Sequence, residues 1–454
     1  MTIRRIVFAG LFLILFPSFA FAGNLSFTKE DRILVVAPHP DDEALGAAGM
    51  IQSALEAGAE VKIVYLTHGE SNELSALFYQ KKPMLLKPDF VKIGRLRKEE
   101  AIEAMGLLGV PEKNLIFFGY PDLGTMPIWE KFWNSVKPFR SFFTRINKVI
   151  HEDDFSYGEY YRATNITYDF EKVILAARPT HIFVTAPFDL NLDHQAAYLF
   201  LETALFDVGA QLEIKPAVHM YLVHAHDWPK PRKYDPREEL APPSGKVVPE
   251  TQWQRYELSL EKIQKKEKSI LCYDSQLSYA KNFLLSFVRK NEIYADYLFE
   301  NVAVETGLSA DQWISRKSAR EAGNVRYAAN DTELLIEIPL VYALDEMGTL
   351  STNIFGYRKG TPFAQMPKLN LKLFGNKLFI KDGGRSFFDR NIFFKVDKSR
   401  LFIRVPLSTL KQPDYLFVST STVKNQLSLD FGSWRVIEIT KSTSTGQPAT
   451  RQVV

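Results

Sequence analysis

Cysteine is almost absent from this sequence, and neither positive nor negative charge is in large excess. Cys272 is the only cysteine among 454 residues, which excludes an intrachain disulfide and a metal site built on a cysteine cluster. Any metal must therefore be held by histidine nitrogens and carboxylate oxygens. The formal net charge is only +3, so the composition gives no electrostatic reason to expect a nucleic-acid partner.

Long apolar runs are also missing, apart from one at the start of the sequence. Two arginines precede an apolar run at residues 6–16, and the small-x-small sequence Ala20-Phe21-Ala22 follows it. This order is typical of a secretory signal peptide, so residues 1–22 are predicted to be one, with an uncleaved anchor as the alternative. The protein is therefore expected to be exported, either to the periplasm or out of the cell. No later segment approaches the roughly 20 apolar residues of a membrane-spanning helix, so no stable membrane span is expected after signal cleavage.

Short apolar runs that suit buried strands alternate with stretches that suit helices over the first part of the sequence. Strands are predicted at residues 33–37, 61–66, 115–118 and 181–185, and helices at 43–57, 95–108, 170–177 and 194–206. This alternation predicts an α/β fold with a Rossmann-like, doubly wound, mostly parallel sheet.

We assign residues 28–301 to this domain. Residues 125–168 interrupt the alternation and are rich in Trp, Phe and Tyr, so they are interpreted as an insertion near the carboxyl ends of the strands. Residues 258–301 are helical in tendency and are expected to close the domain.

The pattern changes from about residue 302, where short strands are separated by Gly, Pro, Asn and Asp. Leu369, Leu371 and Leu373, for example, alternate with polar residues. Many short strands predict a C-terminal β-sandwich domain at residues 302–440. The polar tail at residues 441–454 is predicted to be disordered.

The strongest chemical signal is the sequence His39-Pro40-Asp41-Asp42-Glu43, between a predicted strand and a predicted helix. Open α/β sheets place their ligand sites there, at the carboxyl end of a strand. Asp42 alone is explained as a helix N-cap, but that explanation leaves His39 and Asp41 unaccounted for.

A second acidic-histidine pair, Asp193-His194, also stands between a predicted strand and a predicted helix. The two clusters together offer two nitrogens and one oxygen, from His39, Asp42 and His194. Three protein ligands with one open position are typical of a catalytic zinc site. Asp193 is then expected to orient one of the ligands.

These residues resemble the PIG-L/LmbE family of zinc N-deacetylases, whose hallmark, a strand followed by His-Pro-Asp-Asp-Glu, is complete at residues 39–43. The resemblance covers about residues 30–300. It implies one Zn²⁺ per chain held by His39, Asp42 and His194, with Asp41 as the general base.

Further matches to the family are Arg97-x-x-Glu100 and the sequence Gly119-Tyr120-Pro121-Asp122. The resemblance implies that Arg97 and Asp122 contact the sugar.

The sequence departs from the family pattern at two places. Many relatives carry a histidine three residues before the last metal ligand, where this chain has Asn191. Asparagine can donate a hydrogen bond to an oxyanion but cannot act as a general acid, so Asn191 is predicted to be an oxyanion donor. Relatives often carry His-x-Ser-Gln later in the domain, where this chain has Tyr273-x-Ser-Gln.

Three further histidines have open interpretations. His68 follows a predicted strand and is either at the mouth of the cleft or a simple turn residue. His224 and His226 follow a strand-like segment, and alternation puts both on one face. They either line the cleft or, as the more common case, are solvated or packed in the core.

The resemblance implies a hydrolase that removes the acetyl group from an N-acetylglucosamine-type sugar. Because the chain is expected to be exported, the substrate is expected to be a cell-envelope glycan or exopolysaccharide. The alternatives are an amidase acting on another acylated metabolite or conjugate, and a non-catalytic glycan-binding protein on the same fold. The C-terminal domain either binds the polymer or braces the first domain.

Overall fold

A computed structural model describes ten segments of the chain. They are residues 25–71, 86–133, 135–243, 251–296, 299–304, 325–340, 348–397, 399–424, 427–431 and 433–441. The predicted signal peptide at residues 1–22 lies outside the described residues, as does all but the first residue of the predicted tail at 441–454. Within the described residues, no helix combines the length and apolar character needed to cross a bilayer.

The first sheet has seven strands in the order β3-β2-β1-β4-β5-β7-β6. The strands are β1 Arg32–Ala37, β2 Glu60–Thr67, β3 Leu115–Tyr120, β4 His181–Thr185, β5 Ala217–Tyr221, β6 Gln252–Glu257 and β7 Asn291–Asp296. The pairs from β3 to β5 are parallel, and β6 and β7 add an antiparallel edge. The predicted mostly parallel α/β sheet is confirmed. Successive strands are added on one side of β1 up to β3 and on the other side from β4, so the strand order switches between β1 and β4. Open α/β sheets bind ligands at such a switch point.

Seven α-helices are described around this sheet. They are α1 Asp42–Glu56, α2 Lys87–Leu108, α3 Thr125–Lys131, α4 Ala163–Ala177, α5 Leu192–Val208, α6 Leu260–Ile270 and α7 Asp274–Leu285. Short 3-10 turns span Glu112–Asn114, Gly209–Gln211 and Phe363–Gln365.

Helix α1 lies close against the sheet because it carries glycines on the packed side. A side chain at Gly46 would overlap the ring of Tyr221, and one at Gly49 would overlap Leu258. The hydroxyl of Tyr221 in turn donates to the Val36 carbonyl oxygen over 2.9 Å. The start of α1 is thereby held next to the carboxyl end of β1.

The prediction that residues 258–301 are helical is wrong beyond Leu285, because Asn291–Asp296 is strand β7. Its polar residues conceal the strand in the sequence, yet they are buried in the fold. Glu292 is fully buried against the fully buried Lys266, with 2.7 Å between Oε1 and Nζ, and it also accepts the backbone N–H groups of Gly49 and Met50. A buried charge is tolerated only when it is paired in this way, and the partners lie far away in the sequence.

The second sheet is built from the C-terminal part of the chain, as predicted. Its strands are β8 Glu300–Val304, β9 Arg326–Ala329, β10 Glu333–Pro339, β11 Thr349–Tyr357, β12 Lys368–Phe374, β13 Lys377–Asp382, β14 Arg385–Phe387, β15 Phe393–Asp397, β16 Arg400–Pro406, β17 Tyr415–Lys424, β18 Leu427–Phe431 and β19 Arg435–Lys441. Most of the pairs are antiparallel, and the inward side chains of these strands enclose one apolar core. Since β8 already pairs with β19, this sheet starts at Glu300, next to the predicted boundary at residue 302.

The alternation along β12 holds for its leucines but not for Lys368. Leu369, Leu371 and Leu373 are buried in the core of the second sheet. Lys368 is fully buried as well, because its ammonium group donates to the carbonyl oxygens of Phe363 and Met366 and lies 4.1 Å above the Phe363 ring. Burial lowers the pKa of Lys368 to about 7.

An aromatic cluster joins the two sheets, and we call it the Trp129 cluster. Its members come from the first domain and from the second sheet, and they are Trp129, Trp133, Phe200, Phe355, Phe363, Phe417 and Trp434. Trp129 in α3 is fully buried and stacks on Phe363, with ring centroids 5.5 Å apart.

The far end of α5 is held by the second sheet in the same way. The Tyr357 hydroxyl donates to the Phe206 carbonyl oxygen over 2.8 Å, and the Phe363 N–H donates to the carboxylate of Asp207. Through these contacts and those of the Trp129 cluster, the second sheet covers apolar surface of the first domain. They support the interpretation that the C-terminal domain braces the first domain.

We predict that Trp129→Ala destabilises the whole protein, because it removes the ring at the centre of this junction. Loss of a buried tryptophan typically costs about 3–5 kcal/mol of unfolding free energy. Denaturant unfolding measures the change. Phe388→Ala is the matched control, since that ring is 86% exposed and its loss should change stability by about 0.5 kcal/mol or less. Equal effects of the two substitutions would contradict the brace.

Candidate metal centre and active site

The predicted site residues converge on one open cavity of about 1100 Å³. His39, Asp41 and Asp42 line it from the turn between β1 and α1. Arg97 of α2, Asp122 after β3 and Asn191 before α5 complete the predicted residues on its wall. His194 and Asp193 contact His39 from the side away from the cavity, and both are fully buried.

Three side chains form a triangle of possible metal ligands. Asp42 Oδ2 lies 3.1 Å from His39 Nδ1 and 3.1 Å from His194 Nε2, and the two ring nitrogens are 3.2 Å apart. All three residues are buried. His39 and His194 are 155 positions apart in the sequence, and they meet because β1 and β4 are adjacent parallel strands.

This triangle fits a tetrahedral metal such as zinc. Zinc–ligand bonds to nitrogen and oxygen of about 2.0–2.1 Å place tetrahedral ligand atoms roughly 3.3 Å apart, close to the three separations observed. Two imidazole nitrogens and one carboxylate oxygen are also a donor set that zinc accepts while keeping a fourth position open.

The charge distribution favours a cation at this point. Burial alone would lower the pKa of His39, but hydrogen bonds to Asp122, Asp193 and Asp42 outweigh it and raise the pKa well above its ordinary value. For His194, burial is likewise outweighed by the charges of Asp189 and Asp42, which raise its pKa to about 9. The surrounding carboxylates therefore stabilise positive charge between the two rings.

Each histidine is oriented by a carboxylate on the side away from the triangle. Asp122 Oδ1 lies 3.2 Å and Asp193 Oδ2 lies 3.4 Å from His39 Nε2. Asp189 Oδ2 lies 3.2 Å from His194 Nδ1. Carboxylates in this position fix the tautomer and the orientation of metal-binding histidines.

Asp189 was not predicted as a site residue, although it stands in the same short segment as His194. Its carboxylate accepts the N–H groups of Asn191, Val223 and His224 as well as facing His194. In the sequence, Asp189 is only a third acidic residue near Asp193 and His194. Its contacts with Val223 and His224, from the segment after β5, cannot be seen in the sequence.

Asp193 reaches His39 rather than its neighbour His194, and it also holds the loop after β3. Its carboxylate accepts the N–H of Leu123 over 2.6 Å, the N–H of Thr125 over 3.1 Å and the Thr125 hydroxyl. Thr125 is the first residue of α3, so Asp193 connects this helix to His39.

Asp41 is held in a constrained position beside the triangle. Its backbone φ is 124°, in a region that non-glycine residues rarely adopt and that often marks a functional site. Its carboxylate oxygen lies 3.3 Å from the Arg97 guanidinium. Burial raises the pKa of Asp41 to about 7 against the opposing effect of the Arg97 charge.

Arg97 lines the cavity but is itself 3% exposed. Its guanidinium donates to the carbonyl oxygens of Gly69, over 2.8 Å, and Pro40, over 2.6 Å. Gly69 has a positive φ of 63°, and any side chain there would overlap the guanidinium. In this geometry Arg97 anchors the turn that carries Asp41.

Asn191 is the N-cap of α5. Its Oδ1 accepts the Asp193 N–H over 2.8 Å. The other polar group of this side chain is the amide NH₂, which is a hydrogen-bond donor, and Asn191 lines the cavity.

Tyr273 and Ser275, from the segment that departs from the family pattern, support the site from behind. The Tyr273 hydroxyl donates to Glu43, whose other oxygen accepts the Asp41 N–H over 3.2 Å. Ser275 donates to both carboxylate oxygens of Glu100, each over 2.7 Å.

The three other histidines lie in different places. His224 lines the cavity, with its ring 4.9 Å from that of His194, whereas His226 is exposed. They do not share a face because β5 ends at Tyr221 and the chain then turns. His68 is buried, bonds to Asp154 over 3.0 Å and lines a separate small cavity.

Comparison with known proteins finds a family match over the site-bearing part of the chain. The sequence model described as "PIG-L: GlcNAc-PI de-N-acetylase" matches residues 34–205. Among solved structures, the chain is similar to N,N'-diacetylchitobiose deacetylase from Pyrococcus horikoshii, with a TM-score of 0.36 and 17% identity, covering 59% of this chain and 84% of that one.

Two curated relatives are both described as "1D-myo-inositol 2-acetamido-2-deoxy-alpha-D-glucopyranoside deacetylase". The one from Nakamurella multipartita is 38% identical over 85 residues, which is 19% of this chain and 28% of the relative. The one from Corynebacterium efficiens is 32% identical over 78 residues, which is 17% of this chain and 24% of the relative. The chain thus matches only 28% and 24% of the lengths of these relatives.

We predict one divalent metal ion per chain at the triangle. Elemental analysis of the purified protein should show that His39→Ala and His194→Ala each lose the metal, because each removes one of three protein ligands. His226→Ala is the control and should keep it, since that side chain is exposed and outside the cavity lining. Full metal content in both site variants would rule out this assignment.

Proposed function

We propose that this protein is a zinc-dependent N-deacetylase acting on an N-acetylglucosamine-type sugar. Residues 34–205 match the PIG-L family model, which supports this reaction class. The observation that carries the proposal is the triangle of His39, Asp42 and His194 at the floor of a large cavity, with the Asp41 carboxylate beside it. The two curated relatives are described as deacetylases of a 2-acetamido-2-deoxyglucopyranoside, which supports the sugar class.

The reaction breaks the amide C–N bond and forms a C–O bond from water. When bound, zinc would polarise the amide carbonyl and lower the pKa of water to about 7. Asp41 accepts the proton that water loses and returns it to the departing nitrogen, so that the products are acetate and a free amine. Arg97 keeps the Asp41 carboxylate in place for both transfers.

Asn191 would stabilise the negative charge that develops on the former carbonyl oxygen. Asn191 lines the cavity and its amide NH₂ is a hydrogen-bond donor, and one such donor is typically worth about 3–4 kcal/mol in the transition state. Asn191 cannot protonate the leaving nitrogen, and we assign both proton transfers to Asp41.

Release of acetate from a panel of N-acetylated sugars and glycans, with and without a chelator, tests the proposal. Acetate should appear with at least one aminosugar substrate and should disappear with the chelator. Release only from non-sugar amides would support an amidase instead. Glycan binding without any release would support a non-catalytic protein.

We predict that Asp41→Asn keeps the metal but loses most of its turnover. The substitution preserves the shape of the side chain and removes the proton acceptor, and a general base typically contributes roughly 10²- to 10⁴-fold. Metal content and acetate release are measured on the same preparation. Near-normal release from this variant would show that another group is the base.

We also propose that the protein is exported and acts on a cell-envelope glycan or exopolysaccharide. The support is the charged start, the apolar run and the small-x-small site within residues 1–22. N-terminal sequencing of the mature protein should give a first residue near Gly23. A chain that begins at Met1 in the cytoplasm would remove the argument for an envelope substrate.

A further inference from the structure

One part of the cavity wall has no role in the reaction described above. Residues 276–284 of α7 line the cavity, together with His224 and Arg232 from the segment after β5. The Phe283 ring stacks on His224, with centroids 5.5 Å apart and an interplanar angle of 14°. The Arg232 guanidinium lies 4.8 Å from the centroid of the same ring. The face of Phe283 and the plane of Arg232 thus form one continuous patch.

Within the described segments, two cations on this wall form no ion pair, although the charge of Arg232 also acts on Asp227, which pairs with Lys230. Arg232 and Lys281 both line the cavity and are both exposed. In the described segments no carboxylate oxygen lies within 4 Å of either, whereas Lys230, in the same loop as Arg232, pairs with Asp227 over 2.9 Å. Among the described residues, the Arg232 guanidinium makes a single long hydrogen bond, 3.4 Å to the Trp228 carbonyl oxygen.

The carboxylates of the cavity floor do not neutralise these cations. Asp41 faces Arg97, and Asp42 and Asp122 face the His39 ring. The cavity therefore has an acidic floor, where a metal is expected, and on its more exposed wall two cations with no described carboxylate oxygen within 4 Å.

We propose that Arg232 and Lys281 form an anion subsite, so that the substrate is an acetylated amino sugar that carries or adjoins a carboxylate or phosphate group. This deepens the proposed function and rests on it. The planar guanidinium suits a carboxylate or phosphate, which it can bind through two parallel hydrogen bonds. Contact with the Phe283 ring restricts the arginine before binding, which reduces the entropy lost when the anion is held.

The test compares three disaccharides that share one N-acetylglucosamine unit and differ in the neighbouring sugar. That sugar is neutral in the first, carries a carboxylate in the second and carries a phosphate in the third. Steady-state deacetylation by the full-length metal-loaded enzyme gives kcat/KM for each. The wild type should prefer at least one anionic substrate by roughly three- to tenfold or more, with the preference falling at high salt. The two anionic arms show which group is preferred.

Lys281→Met nearly keeps the length of the side chain, Arg232→Met keeps the aliphatic stem without the guanidinium, and both remove the charge. Each should lower the ratio of kcat/KM for the anionic over the neutral substrate, chiefly through KM, and the double variant should bring the ratio close to one. Arg237→Met is the matched control. It removes an exposed cation from the same segment that is outside the cavity lining, and it should leave the ratio as in the wild type.

Binding to the Asp41→Asn variant, measured by calorimetry, separates failure of the subsite from failure of the proposed function. Tighter binding of the anionic disaccharide, lost on adding Arg232→Met, supports the subsite even where turnover is too slow to measure. Equal affinity and equal kcat/KM for the neutral and anionic substrates overturn the subsite and leave the deacetylase intact. Absence of acetate from every acetylated sugar, with metal bound, overturns the deacetylase itself.

Discussion

The crowding of buried carboxylates around two histidines is the constraint on which this site depends. Asp42, Asp122, Asp189 and Asp193 are all buried within reach of the rings of His39 or His194. Buried negative charges are destabilising unless positive charge or hydrogen-bond donors offset them. Backbone N–H groups satisfy part of this need at Asp189 and Asp193, and the geometry of the triangle leaves the centre suited to a divalent cation.

The fold keeps these buried groups in place because helices α3 and α5 are each held at both ends. Helices α3 and α5 both start at the site, where the Asp193 carboxylate binds Thr125 and approaches His39. At their other ends, Trp129 of α3 and Phe206 of α5 pack against the second sheet. The position of the metal ligands is therefore linked to contacts that lie outside the first domain. A purely accessory β-domain, which the sequence left open, does not account for so extensive a shared core.

The sequence alone predicted the site residues that stand together in short motifs. The motif at residues 39–43 and the pair at residues 193–194 each follow an apolar strand, and parallel strands bring such ends together, so the triangle was predictable. The strand β7, the burial of Lys368 and the contact of Asp189 with His194 were not. Glu292 and Asp189 depend on partners that are remote in the sequence, Lys266 and Gly49 for Glu292 and the segment after β5 for Asp189. Lys368 has nearby partners, but the turn that aims the Phe363 and Met366 carbonyl oxygens at its ammonium group is not visible in the residue pattern.

The Trp129 cluster has a consequence for how such a chain can vary over time. Two domains joined by a polar linker can be recombined with other partners, because each keeps its own core. Here a tryptophan from one half is enclosed by rings from the other half, and Gly384 is so close to the Lys131 carbonyl oxygen that a side chain there would overlap it. A substitution in one domain at this junction is tolerated only if the new side chain fits against the residues of the other domain. The two halves are therefore expected to be inherited as one unit, with compensating changes in paired positions, rather than exchanged as interchangeable modules.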